Sequence, residues 1–210
     1  QRYRIDSDID INTGNANSEL IFSGEFGGNV ISSEGNNYTD KLVFKDYSMT
    51  DGGLYVGYNY INGDIISGTE NNDILMVTAG SINTIVSAGA GNDEIIAKMF
   101  SENPVIDLTI DCGDGNDKVK LSMENLENVT IDGGKGNDFF DMEFCQNSTL
   151  VFHNGDGNDN VLLPMETDGV HTLCFKDSDS GDLTLERLGN DIIIRYNSGN
   201  DSVRIANYWS

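Results

Sequence analysis

The sequence predicts an all-β solenoid, and three observations carry that expectation. A six-residue phrase ending in Asn-Asp returns at nearly constant spacing, each copy is followed by a short run in which apolar residues alternate, and Gly and Asn-Asp recur too often for a helical stripe to survive. The strong copies are Ala88-Gly-Ala-Gly-Asn-Asp93, Cys112-Gly-Asp-Gly-Asn-Asp117, Gly133-Gly-Lys-Gly-Asn-Asp138 and Asn154-Gly-Asp-Gly-Asn-Asp159, with a weaker one before them, Gly68-Thr-Glu-Asn-Asn-Asp73. Their final aspartates step by 20, 24, 21 and 21 residues. Each period is therefore read as one coil.

The residue two after each aspartate is always apolar: Leu75, Ile95, Val119, Phe140 and Val161. The runs around them carry β-branched, aromatic and aliphatic residues suited to short strands. A second strand returns to the next loop, as in Ile106-Asp-Leu-Thr-Ile110, Val129-Thr-Ile131 and Thr149-Leu-Val-Phe152. Between the two strands lies a polar turn that does not repeat, and Pro104 and Pro164 fall in or beside such turns, where no ladder bond is needed. The expected coil is strand, variable turn, strand, Gly-rich loop. Residues 1–65 hold only faint echoes of the phrase and are read as degenerate coils or an N-terminal cap; the repeats occupy 66–162 and a capping segment 163–210.

Composition narrows the function. With 35 Asp+Glu against 12 Lys+Arg, the net charge is −23, which disfavours nucleic acid and anionic membrane surfaces. No apolar run is long enough to span a membrane, and the start at Gln1, which lacks the pattern of a signal peptide, is read as the beginning of a piece of something longer. Cys112, Cys145 and Cys174 have no metal or redox spacing and are expected to be free or buried thiols, with one bridge plus one free thiol as the alternative.

Stacked loops bring the repeated acids to the strand spacing of about 4.8 Å. Two like charges at that separation repel by about 0.9 kcal/mol in water, or roughly 3.5 kcal/mol at an effective dielectric of 20. A ladder of aspartates therefore needs positive charge between its rungs. Gly at the second and fourth loop positions lets carbonyl oxygens turn inward. One loop cannot supply the oxygens that calcium requires, but two neighbouring loops can; hard oxygen donors without His or Cys favour calcium over zinc or copper, and flexible loops favour it over magnesium. Five loops make about four sites. Gly-Asn-Asp is also good turn chemistry, but a turn alone does not demand the same acid in phase five times. Asn92, Asn116, Asn137 and Asn158 are assigned to turn geometry.

The stretches GAGNDEII, CGDGNDKVK, GGKGNDFF and NGDGNDNVL resemble the nine-residue G-G-x-G-x-D-x-U-x repeat of RTX exoproteins, the haemolysin-type calcium-binding family. The likeness covers residues 66–162, and the run from Asp182 to Tyr196 followed by Asp201 to Trp209 is similar to the segment that caps such blocks. It implies a parallel β-roll or β-helix in which Asp73, Asp93, Asp117, Asp138 and Asp159 give side-chain oxygens, while carbonyls around Gly89, Gly91, Gly113, Gly115, Gly134, Gly136, Gly155 and Gly157 complete the shells. It also implies a secreted bacterial protein exported unfolded by type I secretion machinery, with an export signal beyond Ser210. Because the loop returns every twenty or so residues instead of nine, calcium is expected along one edge only. The weak copy has Thr69 and Asn71 at the two glycine positions, and Asp182, 23 residues after Asp159, is kept as a terminal ligand although its surroundings are out of pattern.

The favoured function is a calcium-folded module of a secreted toxin or adhesin. A solenoid face that binds glycan or a receptor is the alternative, with Phe44, Tyr55, Tyr58 and Tyr60 as a candidate sugar-stacking patch or, more simply, core packing. Ice binding is set aside because the loop position between the glycines reads Ala90, Asp114, Lys135 and Asp156, without a threonine row. No enzyme activity is expected, except as the non-catalytic part of a larger RTX enzyme: HExxH, GxSxG and Walker patterns are absent, and His153 and His171 flank a loop as surface or packed side chains. At ten times a dissociation constant of 10⁻⁴ to 10⁻³ M, each calcium adds roughly 1.4 kcal/mol and four add about 6 kcal/mol, similar to the whole stability of an ordinary domain.

Overall fold

The computed structural model describes the strand backbones within residues 4–62 and most of residues 65–209, side chains included. Residues 63–64, 69, 71, 79–80, 99–104, 123–125, 143, 165–168 and 210 lie outside the description, as do those between the strands before 62, the side chains of all residues before 66 and the side chains of residues 76, 78, 81, 82 and 98. The described residues form β-strands and one 3-10 turn, with no α-helix. Pro104, Thr69, Asn71 and the side chains of Phe44, Tyr55, Tyr58 and Tyr60 fall outside what is described.

The chain is a parallel β-solenoid. One nine-stranded sheet runs through Ile65–Ser67, Ile85–Ser87, Thr109–Asp111, Val129–Asp132, Ser148–Phe152 and His171–Phe175, preceded by Arg4–Ile5, Ser18–Phe26 and Asp40–Met49. A facing sheet of eleven strands runs through Ile74–Thr78, Glu94–Lys98, Lys118–Ser122, Phe139–Asp141 and Asn158–Leu162, preceded by three strands from the first 56 residues. The strands before residue 62 thus pair into the same sheets as the repeats.

The expected two-strand coil is incomplete. A third, four-stranded sheet of two-residue strands, Ile61–Asn62, Ser81–Ile82, Val105–Ile106 and Leu126–Glu127, lies within the variable turns. Its exit to the nine-stranded sheet is a corner at Asn83, Asp107 and Asn128, whose φ values of 54°, 56° and 56° are left-handed, a region that Asn and Asp tolerate better than most residues. The first two corners are held to the next coil through the N–H of Asn83 on the Ile106 carbonyl and of Asp107 on the Glu127 carbonyl, both 3.0 Å.

Alternation fixes which side chains face inward. In Lys118–Ser122 the pattern places Val119 and Leu121 in the core and the two lysines outside. Leu75, Ile95, Val119, Phe140 and Val161 are all 2% exposed or less, so the apolar position after each aspartate is the core rung of the eleven-stranded sheet. Ile66, Val86, Ile110, Ile131 and Leu150 form the opposing rungs. Cys112, Cys145 and Cys174 are free, the first two buried.

At the C-terminal end, Asp201–Ala206 adds parallel to Asn158–Leu162, and Asp191–Tyr196 and Thr184–Leu188 follow antiparallel. Tyr196 folds over the last core rungs, its ring 5.1 Å from Phe175 and 6.2 Å from Phe152. Phe140→Ala, which empties a buried rung, is expected to lower unfolding free energy by about 3–5 kcal/mol in urea titrations with calcium present. The exposed Lys120→Ala should stay within about 0.5 kcal/mol of the parent.

Candidate metal centre

The repeated loops stack into one edge between the two large sheets. Register is strict: Glu94 pairs with Lys118 and Lys118 with Phe139, so the aspartate before each strand stands directly beside the last. Asp73, Asp93, Asp117, Asp138 and Asp159 form this column, each 2% exposed or less.

Backbone and side chain interlock along it. The Asp73 N–H donates to Asp93 Oδ1 at 2.7 Å, Asp93 N–H to Asp117 Oδ1 at 2.7 Å, Asp117 N–H to Asp138 Oδ1 at 2.8 Å and Asp138 N–H to Asp159 Oδ1 at 2.9 Å. The neighbouring asparagines form a second ladder of opposite direction. Asn92, Asn116, Asn137 and Asn158 N–H donate to the Oδ1 of Asn72, Asn92, Asn116 and Asn137 at 2.7 to 2.9 Å. These asparagines hold adjacent coils together, which is more than the turn geometry expected of them.

Every aspartate Oδ1 from Asp93 to Asp159 is therefore satisfied, but in three of them the second oxygen is not. Oδ2 of Asp93, Asp117 and Asp138 is fully buried and has no hydrogen-bond partner. Burial lifts these carboxyls far above the usual 3.8: Asp117 to about 6, Asp93 to about 7 and Asp138 to about 8, in each case against the opposing pull of the neighbouring N–H. The charges of adjacent aspartates push Asp93 and Asp138 further in the same direction. Asp159 rises to about 7 through burial, with Asp156 and Asp201 adding to it.

The glycines leave room for backbone alone. A methyl at Gly136, whose φ is 146°, would sit 1.4 Å from the Gly115 carbonyl oxygen, and one at Gly115 would sit 1.6 Å from that of Gly91. The position-two carbonyls of Gly89 and Gly113 accept the N–H of Asp114 and Lys135 at 3.0 and 2.9 Å and each keeps one lone pair. The residues fit a hard cation: partnerless buried carboxylate oxygens recur at successive rungs, beside loops whose glycines bring backbone against backbone. Among the described residues, no three acidic, His or Cys side chains are gathered at metal-binding separation, since each coil contributes one carboxylate to the column.

Asp182 is not brought into the column. It is exposed, and its Oδ2 accepts the Asp179 N–H at 3.3 Å in a turn before the hairpin. Asp156 is the residue that sequence reasoning missed. It was read as a variable loop position, yet it is 4% exposed, and its Oδ2 accepts the His153 N–H at 2.6 Å. His153 lies between Asp177 Oδ2 at 3.1 Å and Asp132 Oδ2 at 3.2 Å; burial lowers its pKa, but these carboxylates and Asp156 outweigh that and raise it overall. His171 Nδ1 is 2.8 Å from the Oγ of Ser148, a side chain that is itself buried.

No family model and no curated protein sequence matches the chain. Among solved structures, it is similar to the extracellular lipase LipA from Serratia marcescens at 14% identity and a TM-score of 0.40, covering 94% of this chain and 38% of that one. The chain thus spans little more than a third of that lipase's length, and a likeness of this size carries no functional weight.

Two outcomes follow from the column. With folded pKa values of about 6 to 8 against 3.8 for the free carboxyl, protonation favours the folded state. In chelator, the melting temperature should therefore fall as pH rises from about 4 to about 8, most of the loss being complete once pH passes the folded values; saturating calcium should remove this slope. Gly136→Ala should abolish cooperative folding in calcium or lower stability by more than about 3 kcal/mol, read by urea titration, because backbone meets backbone at the new methyl.

Proposed function

We propose that the chain is a calcium-binding, RTX-type module that folds when calcium neutralises its aspartate column, and that it works outside the cell as part of a larger secreted bacterial toxin or adhesin exported by type I secretion. The reading rests on one observation above the others: Asp93, Asp117 and Asp138 each bury a carboxylate oxygen with nothing to satisfy it. Calcium supplies positive charge to these oxygens and takes backbone carbonyls and water into the same flexible shell. Asp73, Asp93, Asp117, Asp138 and Asp159 would hold it, with carbonyls from the glycine positions. The module itself is read as non-catalytic.

A second reading, a glycan-binding face, has an observation of its own. Thr109, Thr130, Thr149 and Thr172 stand in register on the outer face of the nine-stranded sheet. Beside them, Asn128, Thr130, Asn147, Thr149, Val170 and Thr172 line an open groove of about 300 Å³. A glycan array with Thr130 and Thr149 replaced by valine separates this role from the first; retention of glycan binding by that variant would remove it.

The test of the main reading is circular dichroism and thermal melting in chelator and in millimolar calcium. The apo chain should lose much of its β signal at neutral pH and regain it with calcium. Asp117→Asn, which keeps the shape and removes one charge, should raise the calcium midpoint several-fold or more. An identical spectrum and melting temperature in chelator would refute the reading.

A further inference from the structure

At the end of the nine-stranded sheet an imidazole stands where the earlier coils hold core groups. His171 pairs with Ser148 and Ser148 with Val129, which are 5% and 1% exposed, so His171 continues a row that faces inward. Leu173 and Phe175, on the same face of its strand, pack against the core. His171 itself is half-buried. With Leu163, Pro164, Ile205, Ala206, Asn207 and Tyr208 it lines a cavity of about 170 Å³, bounded on one side by the last coil and on the other by the tail of the cap.

Only one of its ring nitrogens is engaged. Nδ1 lies 2.8 Å from Ser148 Oγ, whereas Nε2 is fully buried without a hydrogen-bond partner. A neutral imidazole has one N–H and one lone pair; an imidazolium has two N–H donors and no acceptor. Neutral, the ring leaves one hydrogen bond unmade. Protonated, it places a cation where no described group accepts its second N–H, which is far more costly.

The elements packed around the ring supply no counter-charge. Ser148–Phe152 presents the Ser148 hydroxyl, the chain after Asn158–Leu162 presents Leu163 and Pro164, and Asp201–Ala206 with its tail presents apolar groups, Asn207 and the Tyr208 phenol, the titratable group among them. Glu166 and Asp168, on the turn before His171, lie outside the described residues. The carboxylate tied to the tail is already engaged: Asp191 Oδ1 accepts the Asn207 N–H at 2.9 Å and its Oδ2 the Arg204 guanidinium at 2.5 Å. The Asn207 N–H and Arg204 hold that carboxyl below its usual range, so it stays charged in mild acid. Burial alone moves the His171 pKa, downward from 6.5.

We infer that His171 is an acid-sensitive latch between the last coil and the cap: neutral, it lets Asn207–Trp209 close over the cavity; protonated, it draws water in and loosens that tail. The cavity has room for several waters. Because the folded value is depressed, the latch contributes stability above the unfolded value of 6.5 and loses it as pH falls through the folded one. This sign is opposite to that of the aspartate column in chelator. The tail itself is held to the hairpin by the Asn207 N–H and by the Trp209 N–H on the Asn190 carbonyl at 3.0 Å, with Arg187 5.1 Å over the Trp209 ring.

The test is a pH titration of the whole chain in saturating calcium, which neutralises the column. Trp209 is the only tryptophan and there are two histidines, so its emission and the two imidazole NMR signals are separately readable. As pH falls from about 7.5 to about 5, Trp209 emission should change reversibly with the midpoint of the His171 signal, itself below 6.5. Protection of the Asn207 and Trp209 amides, corrected for intrinsic exchange, should drop about tenfold or more across the same midpoint. His171→Asn keeps a polar partner for Ser148 Oγ, does not titrate, and should remove both changes. A His171 signal that titrates at or above 6.5, amide protection that is constant across its midpoint, or changes that survive His171→Asn would overturn the latch. Should that variant fail to fold, the imidazole signal and the amide protection of the parent chain decide the matter.

Discussion

The structure depends on how buried carboxylates of like charge are tolerated at successive rungs of a solenoid. Side-chain hydrogen bonds settle only half of the difficulty. In each aspartate from Asp93 to Asp138, Oδ1 takes an N–H from the coil before it, while Oδ2 stays buried without a partner. An N–H is a dipole and carries no net charge, so the ladder aligns the acids without cancelling their repulsion. Only a proton on each acid or a cation between them completes the edge. At neutral pH, folded values of about 6 to 8 leave the column only partly protonated, so negative charge remains for a cation to meet.

The rest of the loop follows from that requirement. Asparagine and aspartate, adjacent in sequence, send their side chains to opposite neighbours, so each coil is tied forward by one and backward by the other. Glycine is needed where one loop's backbone lies against the carbonyl of the next, as at Gly115 and Gly136. The apolar rung two residues further on, from Leu75 to Val161, supplies the hydrophobic floor on which the column rests. The cap then closes the core with Tyr196, whose ring packs on Phe152 and Phe175.

The aspartate column, its core rungs and the parallel stacking were legible because the six-residue phrase keeps its length in every coil while the turns opposite do not. What varies in length was hidden. The third sheet and its left-handed corners at Asn83, Asp107 and Asn128 sit among non-repeating turns, so no phrase announces them. The threonine row is similarly scattered in sequence, and only the strand register aligns it. Asp182 lay at the right linear distance for the next rung, but the chain first lays down His171–Phe175 and an antiparallel hairpin, and Asp201–Ala206 takes the rung instead. Asp156 matched the repeat in sequence, and the turn it makes with His153 leaves it buried.

The central claim is that cations sit against the partnerless carboxylate oxygens of the column. Anomalous diffraction from a crystal grown in calcium tests it most directly. Peaks are predicted at about 2.3–2.6 Å from Oδ2 of Asp93, Asp117 and Asp138. A calcium-soaked map in which those oxygens have no anomalous density, or instead take hydrogen bonds from neighbouring protein groups, would contradict the account.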